Sequence, residues 1–253
     1  MSLSNATWAR PAFGRAMPAV AITGGTPDQE RPPIVRLRSI TRTYDMGHVT
    51  VPALRSVDLD VEPGDFVAIV GPSGSGKSTM MHIIGCLDRP TEGTYTLAGT
   101  PVEDLDDDEL ARVRSRTIGF VFQSYNLLPR TSALDNVATP LLYQGVGRAE
   151  RHRRAKVALE RLGLGDRLDH EPSELSGGQQ QRVAVARAIV TDPALILADE
   201  PTGNLDQASG QDVLRVLREL HESGRTIVLI THDAEVADAA SRQVHIRDGR
   251  LLE

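Results

Sequence analysis

The chain has 253 residues, 40% of them hydrophobic, and carries a formal net charge of −6 at pH 7. This length accommodates one large α/β domain with room for a subdomain, and the acidic balance argues against a nucleic-acid-binding platform. No apolar stretch approaches the roughly eighteen residues of a membrane span, and the single cysteine, Cys86, excludes an internal disulfide and fits a reducing compartment.

Residues 1–33 are rich in Ala, Pro and Gly, lack hydrophobic periodicity and end in Arg31-Pro32-Pro33. The run Ala16–Ile22 is too short and too broken by proline for a convincing signal peptide. We expect a flexible N-terminal extension followed by one globular domain over residues 34–253. The alternative for the extension is a partner-binding tail anchored by Trp8.

The segment from Ile34 to Asp65 alternates apolar and polar residues, which predicts antiparallel strands, and Thr94–Leu97 is expected to join them later. Phe66–Val70 has a different pattern. It is apolar throughout, which is typical of a parallel strand buried on both faces.

A glycine-rich loop follows this strand and fits the pattern G-x-x-x-x-G-K-[ST]. Its residues are Gly71, Pro72, Ser73, Gly74, Ser75, Gly76, Lys77, Ser78 and Thr79. Met80–Leu87 continues in a helical pattern with Cys86 packed in it, so the loop N–H groups and the positive helix end would meet at one anion. Lys77 can neutralise outer phosphates, and the Ser78 hydroxyl is a ligand suited to Mg²⁺. The alternative is a strand-to-helix turn with a chance lysine.

The middle of the chain is helical in pattern. Asp108–Arg116 predicts a short surface helix, and the region from Ser124 to about Ser173 lacks a strong strand. It contains a basic run made of Arg148, Arg151, Arg153, Arg154 and Lys156. We interpret this run as a solvated face, with contact to anionic lipid headgroups as the alternative.

Three more apolar runs predict buried parallel strands, and each ends in polar residues. These are Ile118–Phe122 before Gln123, Ala194–Ala198 before Asp199 and Glu200, and Thr226–Ile230 before Thr231 and His232. Because ligands of open α/β sheets bind beyond the carboxyl ends of the strands, we expect these tips to converge on the glycine-rich loop in one crevice.

The tips fit the attack of water on a terminal phosphate, in which catalysis is mainly positioning and electrostatic stabilisation. Asp199 is placed to hold Mg²⁺, and Glu200 to polarise the attacking water. Gln123 can complete the metal shell or orient water, and His232 can donate a hydrogen bond to the γ-phosphate. Helix capping is the alternative for Asp199-Glu200 before Pro201, and for His232-Asp233 before a helix over Ala234–Ala240.

A second glycine turn, Leu175–Arg182, opens a helix. Its apolar face comprises Val183, Val185, Ala186, Ile189 and Val190. Such a helix start is another anion site, although the spacing alone favours an ordinary capped helix. Further on, Val213–Leu220 predicts an amphipathic helix, and Gln243–Leu251, with Asp248-Gly249 as its turn, predicts a closing hairpin.

These motifs together resemble an ABC-type ATPase over about Ile34 to Glu253. In order, they are the Walker A loop, Gln123, the Leu-Ser-Gly-Gly-Gln turn, the Walker B strand with Glu200, Asn204-Leu205-Asp206 and His232. The resemblance implies a P-loop NTPase with a RecA-like parallel sheet core, an N-terminal antiparallel β subdomain and an inserted α-helical subdomain at about 124–185. It also implies that Tyr44 stacks on the adenine of ATP.

The family also implies a homodimer that encloses two ATP molecules. Ser176, Gly177, Gly178 and Gln179 of one copy would cover the γ-phosphate bound to the P-loop of the other. Asp206 would lie at the seam between the copies. No matched position departs from the hydrolytic pattern, so two competent sites are expected.

Four segments narrow the resemblance to the macrolide-export and lipoprotein-release group. They are Gly85–Asp88, Phe122–Leu128, Asp135–Val137 and Gly203–Asp206. This group implies peripheral attachment at the cytoplasmic face of the membrane, through a separate permease with a large extracytoplasmic domain that is worked as a lever. The stretch Tyr125–Pro129 with Leu141–Tyr143 would form the permease groove, or else belong to the core of the helical subdomain.

Two other functions compete with a transport motor: a soluble ABC ATPase of DNA repair or translation, and a scaffold that binds ATP without turnover. Only about 120 residues separate Lys77 from Asp199, without heptads or cysteine pairs, and one cassette is present, which argues against the first. Glu200 and His232 argue against the second.

Overall fold

The computed structural model describes residues 32–45, 47 and 49–252. Apart from Pro32 and Pro33, the extension predicted over residues 1–33 lies outside the described residues. Among the helices that are described, none is long and apolar enough to cross a membrane.

A six-stranded sheet in the order β10-β9-β3-β8-β7-β6 forms the centre of the described fold. Its strands are β3 Phe66–Val70, β6 Ile118–Phe122, β7 Leu195–Asp199, β8 Thr226–Thr231, β9 Arg242–Arg247 and β10 Arg250–Leu252. All neighbours pair in parallel except β10, which returns antiparallel onto β9. The predicted parallel strands and the closing hairpin are confirmed.

The central strands are apolar throughout because both faces of the sheet are covered. Phe66 and Ala68 belong to one buried cluster, with helices of the later chain, whereas Val67 and Ile69 belong to a second cluster on the opposite face. Alternate side chains of a strand point to opposite faces, so this division follows from the geometry of the strand.

The second cluster is shared with an antiparallel sheet in the order β2-β1-β4-β5. Its strands are β1 Val35–Asp45, β2 Thr50–Val61, β4 Glu92–Leu97 and β5 Thr100–Pro101. β1 pairs with both β2 and β4, which confirms the predicted antiparallel subdomain and the later joining of Thr94–Leu97.

Seven α-helices lie within the described residues. They are α1 Lys77–Ile84, α2 Asp107–Thr117, α3 Ala133–Tyr143, α4 Arg148–Arg161, α5 Gly177–Ile189, α6 Gln207–Glu222 and α7 Ala234–Ala237. Helices α3 to α6 pack in the first cluster, which confirms the helical pattern after Ser124. α5 continues past residue 185, where the sequence places the end of the helical subdomain, so this division of the chain stays a prediction.

Two predicted helix ends are wrong. α1 ends at Ile84 rather than Leu87, because the chain turns at Cys86, whose φ is 52°. Cys86 therefore lies just beyond the helix, still buried, and not within it. α7 ends at Ala237 rather than Ala240, since the N–H groups that follow its C-cap, Asp238, bond only three residues back, from Ala239 to Val236 and from Ala240 to Ala237.

Candidate active site

The glycine-rich loop joins the end of β3 to the start of α1. Gly74 and Gly76 have φ values of 76° and 107°, which residues with a side chain rarely adopt. Gly76 is also the N-cap of α1, and no side chain caps the first turn of this helix. The N–H groups of that turn are therefore available to a bound anion.

Close backbone approach explains the other glycine requirement of the loop. A Cβ atom on Gly71 would lie 2.2 Å from the carbonyl oxygen of Ile246, and one on Gly76 would lie 2.6 Å from that of Ala53.

The Lys77 ammonium donates hydrogen bonds to the carbonyl oxygens of Gly71 (2.7 Å) and Pro72 (2.9 Å). The lysine is thereby folded back over its own loop.

A crevice of about 760 Å³ opens above this loop. Its lining includes Gly71, Pro72, Ser73, Gly74, Gly76, Lys77, Ser78 and Thr79, together with Gln123, Asp199, Glu200 and His232. The predicted convergence of the strand tips is thus present in the structure. Ser75 of the loop is buried and is not among the lining residues.

Glu200 is held by three hydrogen bonds at its carboxylate. The Thr231 hydroxyl donates to Oε2 (3.1 Å), the His232 backbone N–H donates to Oε1 (3.0 Å), and His232 Nδ1 lies 2.5 Å from Oε1. The Glu200 side chain is 16% exposed, whereas that of His232 is 70% exposed. A fixed carboxylate therefore sits beside a ring that solvent or a ligand can reach.

Asp199 ends β7 and is half-buried beside Glu200. Burial raises the pKa of its carboxyl, and the neighbouring Glu200 adds to the rise, while His82 and Lys77 oppose it. Two adjacent carboxyl groups at the edge of a crevice favour a positive partner, because each disfavours the charged form of the other.

The Asn204 side chain forms hydrogen bonds with both the backbone and the side chain of Gln123. Asn204 Nδ2 donates to the Gln123 carbonyl oxygen (3.1 Å), and Gln123 Nε2 donates to Asn204 Oδ1 (3.4 Å). A Cβ atom on Gly203 would lie 2.7 Å from Gln123 Nε2, so the amide rests directly on this glycine. The turn after Glu200 thus supports the Gln123 side chain.

The second glycine turn does not reach this crevice within the chain. Ser176 caps α5, its hydroxyl accepting from the Gln179 N–H (3.3 Å), while the Gln179 side chain accepts from the Ser176 N–H (2.9 Å). Gly178 lies against Ser209 at the start of α6, since a Cβ atom there would be 2.9 Å from the Ser209 hydroxyl. None of Ser176 to Gln179 lines the P-loop crevice.

Two other predicted residues have partners elsewhere. Asp206 caps α6, accepting from the Ser209 N–H (3.0 Å), and this hydrogen bond lowers the pKa of its carboxyl. The Tyr44 hydroxyl donates to Asp88 (2.9 Å), and the Arg42 guanidinium lies 4.5 Å from the centre of the Tyr44 ring. Tyr44 is not among the crevice-lining residues, although its strand partner Val51 is.

Of the two predicted helix-capping alternatives, the structure shows capping at Asp233 and none at Asp199-Glu200. Asp233 caps α7 through the N–H of Glu235 (2.8 Å), while His232 pairs with Glu200. Asp199 and Glu200 cap no helix, because the next helix, α6, is capped by Asp206.

The sequence reasoning missed two parts of the site. It assigned no role to Thr231, whose hydroxyl holds Glu200, nor to the wall formed by Val51, Pro52 and Ala53. A hydroxyl directly before His232 at a strand tip is a signal that could have identified the first. The wall comes from a distant strand, and no local pattern indicates it.

Comparisons with known proteins agree with this geometry. A model of the ABC transporter family matches residues 54–203. An uncharacterized ABC transporter ATP-binding protein of Thermotoga maritima is 56% identical over 218 residues, which are 86% of this chain and 93% of that protein. The macrolide export ATP-binding/permease protein MacB of Marinobacter nauticus is 56% identical over 87% of this chain, which spans only 34% of MacB.

Solved structures extend the likeness to three dimensions. The dimeric structure of MJ0796, a bacterial ABC transporter cassette, has a TM-score of 0.80 and 46% identity, and covers 87% of this chain and 97% of its own. A dimeric post-hydrolysis state of the same cassette, bound to ADP and Pi, matches equally well. These relatives do not support a role in DNA repair or translation, or as an ATP-gated scaffold. The chain belongs to the ABC transporter family, as an ATP-binding subunit that hydrolyses ATP.

Proposed function

We propose that the P-loop crevice is where this chain hydrolyses ATP, and that it does so as a homodimer that drives a membrane permease. The observation that carries the catalytic part is the meeting of five groups in one crevice: the glycine-rich loop, Gln123, Asp199, Glu200 and His232. They come from four neighbouring strands of one sheet, and all lie at the carboxyl ends of those strands.

The phosphates of ATP would lie against the loop and the uncapped start of α1. Lys77 would exchange its bonds to the Gly71 and Pro72 carbonyls for bonds to phosphate oxygens. A unit charge pair about 4 Å apart contributes roughly 4 kcal/mol at an effective dielectric near 20. This contribution is large enough that loss of Lys77 should abolish tight binding.

Mg²⁺ fits the oxygen donors at this edge of the crevice. Ser78 offers an exposed hydroxyl, Asp199 a half-buried carboxylate and Gln123 an amide oxygen, and these residues would hold the ion. No cluster of three or more His, Cys, Asp and Glu side chains occurs among the described residues, which suits an ion held largely by phosphate and water. When bound, Mg²⁺ would neutralise charge on the phosphates.

Glu200 is the group proposed to polarise the attacking water, since three donors fix its carboxylate at the crevice. A positioned base contributes about 10²–10⁴-fold to such a reaction. His232 is exposed enough to contact the γ-phosphate while its Nδ1 stays paired with Glu200. Gln123 would orient the same water or complete the metal shell.

Dimerisation is proposed because the Ser176–Gln179 turn is absent from the crevice of its own chain. A second copy, related by a two-fold axis, would place this turn on the γ-phosphate. Asp206 and Tyr44 are proposed at the dimer seam and at the adenine, respectively. The dimeric MJ0796 cassette supports this assembly.

A permease partner is proposed at a cavity of about 770 Å³ bounded by β6, α2, α3 and α5. Its lining includes Phe120, Phe122, Leu87 and Tyr143, and the last two are 45% and 77% exposed. Leu141, in contrast, is fully buried, so the predicted groove is partly core.

The MacB relative, an ATP-binding/permease protein, supports such a partner and a position at the cytoplasmic face of the membrane. The large extracytoplasmic domain and the lever mechanism rest on the family resemblance alone.

Replacing Glu200 with Gln tests the catalytic and dimeric parts together. The variant keeps the shape of the side chain and removes the base, so turnover should fall about 10²–10⁴-fold. It should also accumulate as an ATP-bound dimer, measured by light scattering after size exclusion with ATP and Mg²⁺.

The matched control is Glu222→Gln, which removes an exposed carboxylate from α6 and should hydrolyse ATP normally. A Glu200→Gln chain that stays monomeric with ATP contradicts the sandwich. One that turns over ATP at the wild-type rate contradicts the role of Glu200.

A further inference from the structure

The loop from Gln123 to Ser132, between β6 and α3, contains an unusual pair of residues; we call residues 123–132 the Gln123 loop. Tyr125 and Asn126 are consecutive and have φ values of 58° and 50°. The left-handed conformation costs about 1–2 kcal/mol for a residue such as tyrosine, and less for asparagine. Two such residues in sequence persist only where the surrounding structure holds them.

Arg187, on α5, makes the contacts that hold this pair. Its guanidinium donates to the carbonyl oxygen of Tyr125 (2.7 Å) and to that of Asn126 (2.5 Å). One planar side chain thereby fixes two successive peptide groups, which suits the rigid fork of arginine and not the single ammonium of lysine.

Besides these two hydrogen bonds, Arg187 lines the cavity of about 770 Å³ that is proposed for the permease. Burial lowers the pKa of its guanidinium, and no ion pair to it occurs among the described residues. Burying a cation is costly unless it is well hydrogen-bonded. The two loop carbonyls are therefore the feature that compensates this side chain.

The held pair connects directly to Gln123. The Tyr125 hydroxyl donates to the carbonyl oxygen of Asn204 (3.3 Å), and Asn204 bonds Gln123 from both ends. A Cβ atom on Gly177 would lie 3.1 Å from the Tyr125 hydroxyl, so this ring also covers the start of α5. Arg187, Tyr125, Asn204 and Gln123 form one continuous network.

We infer that Arg187 is a positioning residue that fixes Gln123 at the crevice by locking the left-handed pair Tyr125-Asn126. Arg187 itself does not line the P-loop crevice. This inference rests on the proposed function, because Gln123 acts there. Gln123 would orient the attacking water or complete the metal shell, whereas the glycine-rich loop would provide most of the binding of ATP. Loss of Arg187 should therefore lower kcat and leave KM nearly unchanged.

The test compares Arg187→Met with Arg151→Met in the full chain. Arg151 also donates to a backbone carbonyl, that of Val146 (3.3 Å), but lies on α4 away from the Gln123 loop. Hydrogen exchange of backbone amides at residues 124–128, without nucleotide, should be about ten-fold faster in Arg187→Met and unchanged in Arg151→Met.

Turnover provides the second readout. The kcat of Arg187→Met should fall about ten-fold with KM for ATP within about two-fold, because misplacement and not lost binding is the cause. Arg187→Lys, which can reach one carbonyl, should fold and recover part of the kcat and part of the protection. Thermal unfolding of each variant confirms that the chain is folded.

Three results would overturn the inference. One is unchanged exchange at residues 124–128 in both Arg187 variants. Another is a rise in KM that equals the loss of kcat, since this indicates a site damaged as a whole. The third is faster exchange with wild-type kcat, which refutes the link from the loop to Gln123. A Gln123→Ala chain with full turnover refutes instead the role of Gln123 in the proposed function, while the exchange data still test the lock.

Discussion

Glu200, the proposed catalytic base, is held at the crevice in a strained backbone conformation. Its φ of 43° lies in the left-handed region, at a cost of about 1–3 kcal/mol. The conformation is retained because its N–H donates to the Ile230 carbonyl (2.8 Å) while Thr231 and His232 hold its carboxylate. In the proposed reaction, the carboxylate therefore needs little reorganisation as water attacks the γ-phosphate.

Residue identities at the strand tips were predictable from the sequence, because a polar residue after a buried strand has few other places to lie. The supports of those residues were not. The left-handed turn at Glu200 and the two hydrogen bonds between Gln123 and Asn204 depend on contacts between residues that are 30 or more positions apart in sequence. No local pattern encodes such pairs.

Cys86 carries a residue-scale prediction from its pKa. Burial raises the pKa of the thiol to about 11, against smaller opposing effects from Tyr95 and Arg114. At pH 8 about one thiol in a thousand is then ionised, and the thiolate is the reactive form. We expect a disulfide reagent at pH 8 to modify the folded chain at least about 100-fold more slowly than the chain in guanidinium.

The rate is measured by the colour of the released aromatic thiol, with Cys86→Ser as the blank. Equal rates in buffer and in guanidinium would show that the thiol is exposed and that its pKa is not raised.

At the scale of elements, the sheet places its functional residues by topology. The strands were predictable because burial on both faces makes them apolar throughout, as in β3 and β7. The helix ends were less predictable. α1 ends shortly before Cys86, which adopts a left-handed conformation, and a cysteine gives no sequence signal for that conformation. The role of Ser176 as an α5 cap was among the predicted alternatives, and the structure confirms it without testing its role in a dimer.

The cavity between β6, α2, α3 and α5 gives the element-scale prediction. Tyr143 ends α3 with 77% of its surface exposed and lines this cavity. If a permease segment covers it, Tyr143→Ala should keep basal ATP hydrolysis and lose most of the membrane protein that co-purifies with the wild-type chain from detergent-solubilised membranes.

Leu252→Ala is the control, because Leu252 is also about half exposed (49%) but lies on β10 and does not line the cavity. Equal recovery of the same membrane protein with both variants would place the permease elsewhere.

In the whole molecule, the two helix N-termini that are suited to binding phosphate, those of α1 and α5, face different parts of the surface. The start of α1 opens into the P-loop crevice, whereas the start of α5 lies against Ser209 and Tyr125 and outside that crevice. The sequence indicated two such starts for one nucleotide, but only the fold shows that one chain does not bring them together. The proposed function therefore requires a second copy to complete the site.

Mixing two inactive variants tests this central claim most directly. Lys77→Ala removes the loop lysine and Ser176→Arg obstructs the second turn, so each variant alone should be inactive. In a mixed dimer, one site combines both defects and the other combines neither. An equimolar mixture should therefore recover about a quarter of wild-type ATP hydrolysis, since about half of the dimers are mixed and each has one intact site of two. A mixture no more active than its separate components would contradict a site shared between copies.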